Sequence, residues 1–251
     1  VRTGLRGVNP SRLMSAARSL RSLPVLLLAA TFLLIQPSSA ATFTVTNTSD
    51  AGAGSLRQAI IDANALAGAD VIQFDTAGVF GTAQTITLTS GNLPQITNSL
   101  EITGPSGLGQ EVTLSGNNLY RIFLVQWGAP GSFTLRNLQL LDGAHATQAG
   151  AVTANGTNAV TLTLENCRFT SNSGHTGGAV YCNTTNQSSV TMTGCVFDAN
   201  SSSPIAGGGL YVKNATVVLA SCIFTSNTTA NSGGGIFCSL CPSVSMTGCT
   251  F

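Results

Sequence analysis

Residues 159–182 read AVTLTLENCRFTSNSGHTGGAVYC, and the pattern returns as SSVTMTGCVFDANSSSPIAGGGLYV over 188–212 and as TVVLASCIFTSNTTANSGGGIFC over 216–238. A fourth copy opens at SVSMTGCTF, residues 243–251. Cys167, Cys195, Cys222 and Cys249 step by 28, 27 and 27 residues, and Phe169, Phe197, Phe224 and Phe251 keep the same steps. Asn172, Asn200 and Asn227 follow them at 28 and 27. A period of this length is the mark of a repeat architecture.

Within one copy the apolar residues alternate. Val190 and Met192 share one face of a short strand, Cys195 and Phe197 that of a second, and Leu210 and Val212 that of a third. A bend at Thr193-Gly194 brings the first two pairs onto the same side. Three short strands cannot bury their own apolar face, but stacked copies can, each strand pairing in parallel with its equivalent about 4.8 Å away. The expected fold is therefore all-β: a parallel β-helix of three short strands per coil, with columns of Phe on Phe and Cys on Cys.

The Asn after each Phe is expected to bond the turn backbone, to tolerate a left-handed conformation and to form a ladder with its counterparts. The Gly pairs 177–178 and 208–209 mark a tight corner. Backbones about 4.8 Å apart hold stacked Cys too far apart for serial disulfides, which favours buried thiols acting as small hydrophobes. Cys238 and Cys241, in CSLC, are read as a local disulfide or as two free thiols.

Upstream, TLRNLQLLDG (134–143) aligns with TLENCRFTSN (163–172), which places Leu138 and Leu140 in the Cys and Phe slots. QTITLT, SLEITG and QEVTLSG read as irregular early coils. Residues 41–75 are assigned to an N-terminal cap with a strand, a helix and a second strand, and 76–251 to the β-helix. Ser55 is the expected N-cap of the helix, with Leu56, Ile60, Ile61 and Ala63 on its buried face.

Residues 24–35, PVLLLAATFLLI, follow Arg12, Arg18 and Arg21 and precede PSSAAT. A basic, an apolar and a small-residue region in that order describe a secretory signal over 1–40, with a retained N-terminal anchor as the other reading. Met14 would open a signal of ordinary length. After cleavage five basic residues and all nine acids remain, a net charge of −4. That charge disfavours nucleic acid as a partner.

The GGAV, GGGL and GGGI tetrapeptides, with FTSN, FDAN and FTSN, resemble the paired GGA[ILV] and FxxN repeats of the polymorphic outer membrane protein family. TVTNTSDAGAGSLRQAI is similar to the entrance of secreted bacterial β-helix proteins with a C-S-L-R-E-A motif, departing from it at Gly54 and Gln58. The resemblance spans about residues 42–251. It implies a right-handed β-helix, secreted or displayed at the outer surface, adhesin-like or the passenger region of an autotransporter. Surface glycans or host-cell proteins are the implied partners, and a membrane is engaged only through a downstream anchor or barrel. Phe251 falls in mid-coil, so a longer protein is expected.

The competing reading is a carbohydrate-active lyase or hydrolase of the pectin-lyase-like fold, which needs clustered carboxylates. From Gly131 onward the acids are Asp142, Glu165 and Asp198. Arg136 falls in the slot of Glu165 one coil away, as for a cross-strand ion pair, and Arg168 lies nearby. No catalytic, cofactor-binding or metal-ligating residue is assigned. His145 and His175 take matching loop positions and are expected on one face. Tyr120 and Trp127 are read either as a sugar platform or as cover for a coil edge. Arg57 is expected to pair with Asp62 or a strand acid. The uneven loops 143–149, 171–176 and 201–206 are expected to set binding specificity.

Overall fold

The computed structural model describes residues 40–126 and 128–251. The expected signal segment, up to residue 39, and Trp127 lie outside the described residues. The chain winds as an all-β parallel solenoid of about seven coils. Every strand pair is parallel because each strand meets its equivalent one coil later.

The strands form three sheets. An eleven-stranded sheet includes Thr42–Val45, Asp70–Phe74, Leu100–Thr103, Gly131–Arg136 and Val160–Glu165 in spatial sequence. A six-stranded sheet runs from Gln84–Thr87 through Val112–Ser115, Leu138–Leu141, Arg168–Thr170 and Val196–Asp198 to Ile223–Thr225. The third has four strands of two residues each: Ala144–His145, Ser173–Gly174, Ser201–Ser202 and Thr228–Thr229. This last set lies just past the Asn position, so a coil has one more strand than the three expected. One further departure involves the large sheet. The strand Val180–Thr193 serves two rows of it, with a register shift between Asn183 and Ser188. Asp70–Phe74 pairs with Leu100–Thr103, so the large sheet is continuous across residues 75–76.

The inward columns fill the solenoid. Phe169 pairs in register with Phe197, and Phe197 with Phe224. Their rings stack with centroids 4.7 and 4.6 Å apart and planes within 9° of parallel, and Phe251 continues the stack at 5.2 Å. Cys167, Cys195 and Cys222 are buried, and Cys249 packs partly against the same core. All seven cysteines are unpaired. Cys195 Sγ donates to the Leu164 carbonyl at 3.4 Å and Cys222 Sγ to that of Met192 at 3.6 Å. Burial pushes the Cys167 thiol up to about 12, so it is a poor nucleophile.

The asparagines form a buried ladder. Asn172 and Asn200 are fully buried. Asn200 Oδ1 accepts both the backbone N–H and the amide of Asn172, at 3.0 and 2.9 Å, while the Asn200 amide donates to the Phe169 carbonyl at 2.9 Å. Asn227 repeats these contacts toward Asn200 and Phe197. The left-handed residue at this corner is the one before each Asn: Ser171, Ala199 and Ser226 all have φ of 54°. That corrects the expected conformation of Asn, whose side chain points inward because its neighbour makes the turn. The preceding corner is also left-handed, at Asn166 (φ 52°), Gly194 (62°) and Ser221 (52°). At the glycine corner a Cβ on Gly178 would fall into the carbonyl oxygens of Gly208 and Ser201.

Near the first rungs, the helix α1 (Leu56–Ala65) is N-capped by Ser55, which accepts from the Gln58 N–H. It buries Leu56, Ala59, Ile60 and Ala63, whereas Ile61 is exposed, one helical step of about 100° away from the buried stripe. Arg57 pairs at 2.6 Å with Asp50, a loop residue, a correction to the expected Asp62 or strand acid; Asp62 instead accepts from Gln58. Burial alone would raise the Asp50 carboxyl. Hydrogen bonds from Ser90, Arg57 and Thr89 outweigh it and hold the group well below the ordinary carboxylate range.

Truncating one ring of the stack, Phe197→Ala, should lower unfolding free energy by about 3–5 kcal/mol. Asn200→Asp should cost about 3 kcal/mol, since a carboxylate cannot donate to the Phe169 carbonyl. Denaturant unfolding measures both, and losses below about 1 kcal/mol would contradict the stacked core. A group with a depressed native pKa stabilises above its unfolded value of about 4 and loses that contribution as pH falls. Asp50→Asn should therefore lower stability at pH 7 and flatten its decline below about pH 4, read from thermal midpoints across that range.

Candidate functional site

The two-residue strands border a surface groove. The groove, of about 360 Å³, is lined by Leu119, His145, Ser173, His175, Ser201 and Ser203, among others. Ala144 pairs with Ser173, and Ser173 with Ser201, so successive coils place small side chains side by side along its floor. Two residues per rung leave no room for a bulky inward pair, and the short sheet is correspondingly shallow. The expected loops 143–149, 171–176 and 201–206 supply most of the lining.

His145 and His175 both line the groove, one register position apart, since Gly174 is the partner of His145. His145 Nδ1 accepts the Gln148 N–H at 3.1 Å. Burial first, and then the nearby Arg121 guanidinium, pushes His145 below its ordinary value, so the ring is neutral. His175 is held by its N–H to the Gln148 carbonyl at 3.1 Å and by Thr176 at 3.3 Å. No carboxylate lines this groove. Among the described residues no group of three or more His, Cys, Asp or Glu side chains is placed to hold a metal ion.

The carboxylates lie elsewhere, and Glu101, Glu165 and Asp198 are engaged by arginines. Arg136 pairs with Glu165, its register partner, and reaches Glu101 at 3.3 Å. Arg168 pairs with Asp198 at 3.5 Å rather than with Glu165. The cluster is thus one arginine between two carboxylates, where the sequence suggests one carboxylate between two arginines. Asp142 occupies a left-handed corner, with φ of 51°. These are half-exposed pairs, each worth about 1 kcal/mol or less, and their chemistry is structural.

Tyr120 does not line the groove. Its ring packs against the core and its hydroxyl donates to the Thr89 carbonyl at 3.3 Å, so it covers a coil edge. A second aromatic column was missed in the sequence. Tyr181, Tyr211 and Phe237 stack at 5.4 and 5.2 Å on the outer side of strands whose inward residues are Val180, Leu210 and Ile236. The signal was present in V-Y-C, L-Y-V and I-F-C, one per coil at steps of 30 and 26 residues. These rings turn their faces to each other and offer only edges outward, so a sugar has no face on which to lie. Arg121 also escaped notice as a site residue. It is 7% exposed and its Nη1 lies 3.4 Å from His145 Nε2, one coil away.

No helix among the described residues is long and apolar enough to cross a membrane. No curated protein significantly matches the chain. The family model of a right-handed β-helix region matches residues 100–251, more than half of the chain. The match starts at the Leu100 rung and covers every Cys, Phe and Asn of the stacked columns. Parallel rungs, left-handed corners and this match agree, and the chain belongs to the right-handed β-helix family.

Proposed function

We propose that this chain is a non-catalytic, secreted or surface-displayed binding module, adhesin-like in role, whose groove takes a glycan. What carries the reading is the composition of the groove: hydroxyls and imidazoles along stacked two-residue strands, with no carboxylate among the lining residues. Hydroxyls both donate and accept, so they suit sugar hydroxyls, and a lining of small side chains leaves space for a chain laid along the solenoid. Export is supported by the apolar run 24–35 behind three arginines.

The competing reading, a polysaccharide lyase or glycoside hydrolase, draws on the family fold. It requires an acid and a base near the substrate. Glu101, Glu165 and Asp198 are each held by an arginine, outside the groove.

Ser201→Trp should fill the groove from a half-exposed position. Binding to an array of oligosaccharides should fall at least about tenfold, the equivalent of about 1.4 kcal/mol, while the thermal midpoint stays within a few degrees. Depolymerisation of an acidic polysaccharide, with or without calcium, that disappears in Glu165→Gln would overturn the binding-module reading in favour of the enzyme.

A further inference from the structure

Arg121 is a buried cation without a counter-ion. None of the ion pairs among the described residues includes it. Its Nε has no hydrogen-bond partner among the described residues, and Nη1 meets Gln148 Oε1 at 3.0 Å and His145 Nε2 at 3.4 Å. Its own backbone N–H is fixed by Asn92 Oδ1 at 2.9 Å, so the residue is anchored in place. Guanidinium cannot give up its proton in a protein, and a buried charge of this kind calls for an anion.

The imidazole beside it sharpens the requirement. The backbone N–H groups of Gln148 and Thr147 both approach His145 Nδ1, at 3.1 and 3.4 Å. Nδ1 therefore carries the lone pair, and the neutral ring carries its proton on Nε2. In that tautomer Nε2–H and Arg121 Nη1–H face one another as two donors 3.4 Å apart, while Nη1 also donates to Gln148 Oε1 at 3.0 Å. A planar or tetrahedral group bearing two or three oxygens satisfies both at once. His145 lines the groove, which gives such a group its approach.

We propose that Arg121 and His145 form an oxyanion seat at the groove wall, taking the carboxylate or sulfate ester of an acidic sugar. This rests on the glycan reading of the groove and specifies the class of glycan. The seat selects by charge, and the hydroxyls of Ser173 and Ser201 hold the uncharged remainder of the sugar.

The test follows the His145 Nε2 resonance by NMR at fixed ionic strength while glucose, glucuronate, glucose 6-sulfate and sodium sulfate are titrated separately. Glucuronate and glucose 6-sulfate should bind at least about tenfold tighter than glucose, and glucose 6-sulfate tighter than free sulfate. In Arg121→Gln the ratio of acidic to neutral affinity should fall to about one. If that variant fails to fold, His145→Ala, followed by calorimetry, should give the same collapse of the ratio. Equal binding of glucose and the two anionic sugars overturns the seat alone, as does a preference that survives both substitutions. Sulfate binding as tightly as glucose 6-sulfate overturns its assignment to a sugar-borne group. Silence toward all three sugars, with a blank oligosaccharide array, removes the glycan reading itself.

Discussion

The structure depends on one constraint: each coil must return every inward side chain to the place where its equivalent sits one rung above. Parallel pairing fixes that spacing at about 4.8 Å, and flat rings in van der Waals contact fit it well. Phe197 uses both of its faces, one on Phe169 and one on Phe224. A change of even one residue in a corner would rotate the next strand and swap its buried and exposed faces. The corners are therefore rigid in a way the loops are not. Left-handed residues recur at two of them, and the buried Asn ladder ties the second to the coil on either side.

Where that constraint relaxes, function has room. Between the Asn ladder and the glycine corner the coils differ in length and content, and only two residues per coil pair there. Such a strand can be small and polar because the columns on either side already hold the register. The groove lies along this row, so the stacking that stabilises the solenoid also aligns Ala144, Ser173 and Ser201 in space. A surface built this way repeats by translation, a geometry suited to an extended ligand.

The fold was legible in the sequence because the repeat amplifies a weak signal. Phe169, Phe197 and Phe224 at one period carry more information than any single alternating strand does. The Arg136–Glu165 pair was legible for the same reason, since both residues hold one slot in adjacent coils. What escaped lacks either an even step or an apolar alternation. The short strands carry Ala-His, Ser-Gly, Ser-Ser and Thr-Thr, with no apolar alternation to announce them. Arg57 and Asp50 meet across a loop specific to the first rungs, and Ile61 was misplaced by one step of the helix. At the Asn corner the residue types suggested the wrong left-handed position. Ser171 and Ala199 adopt it at a cost that the buried amide ladder offsets.

Arg121 shows why a site can hide inside a repeat. Its neighbour His145 lies 24 residues further on, short of a full period, so no alignment of copies brings the two together. A side chain that repeats is explained by its column. A buried charge outside every column needs a separate cause, and the solenoid gives it none in packing terms, because a desolvated guanidinium destabilises unless something answers it. The donors left over around Arg121 are thus a residue of chemistry after the architecture has been accounted for. In a fold whose interior is set by repetition, departures from the repeat are the places where selection for binding can act without disturbing the register.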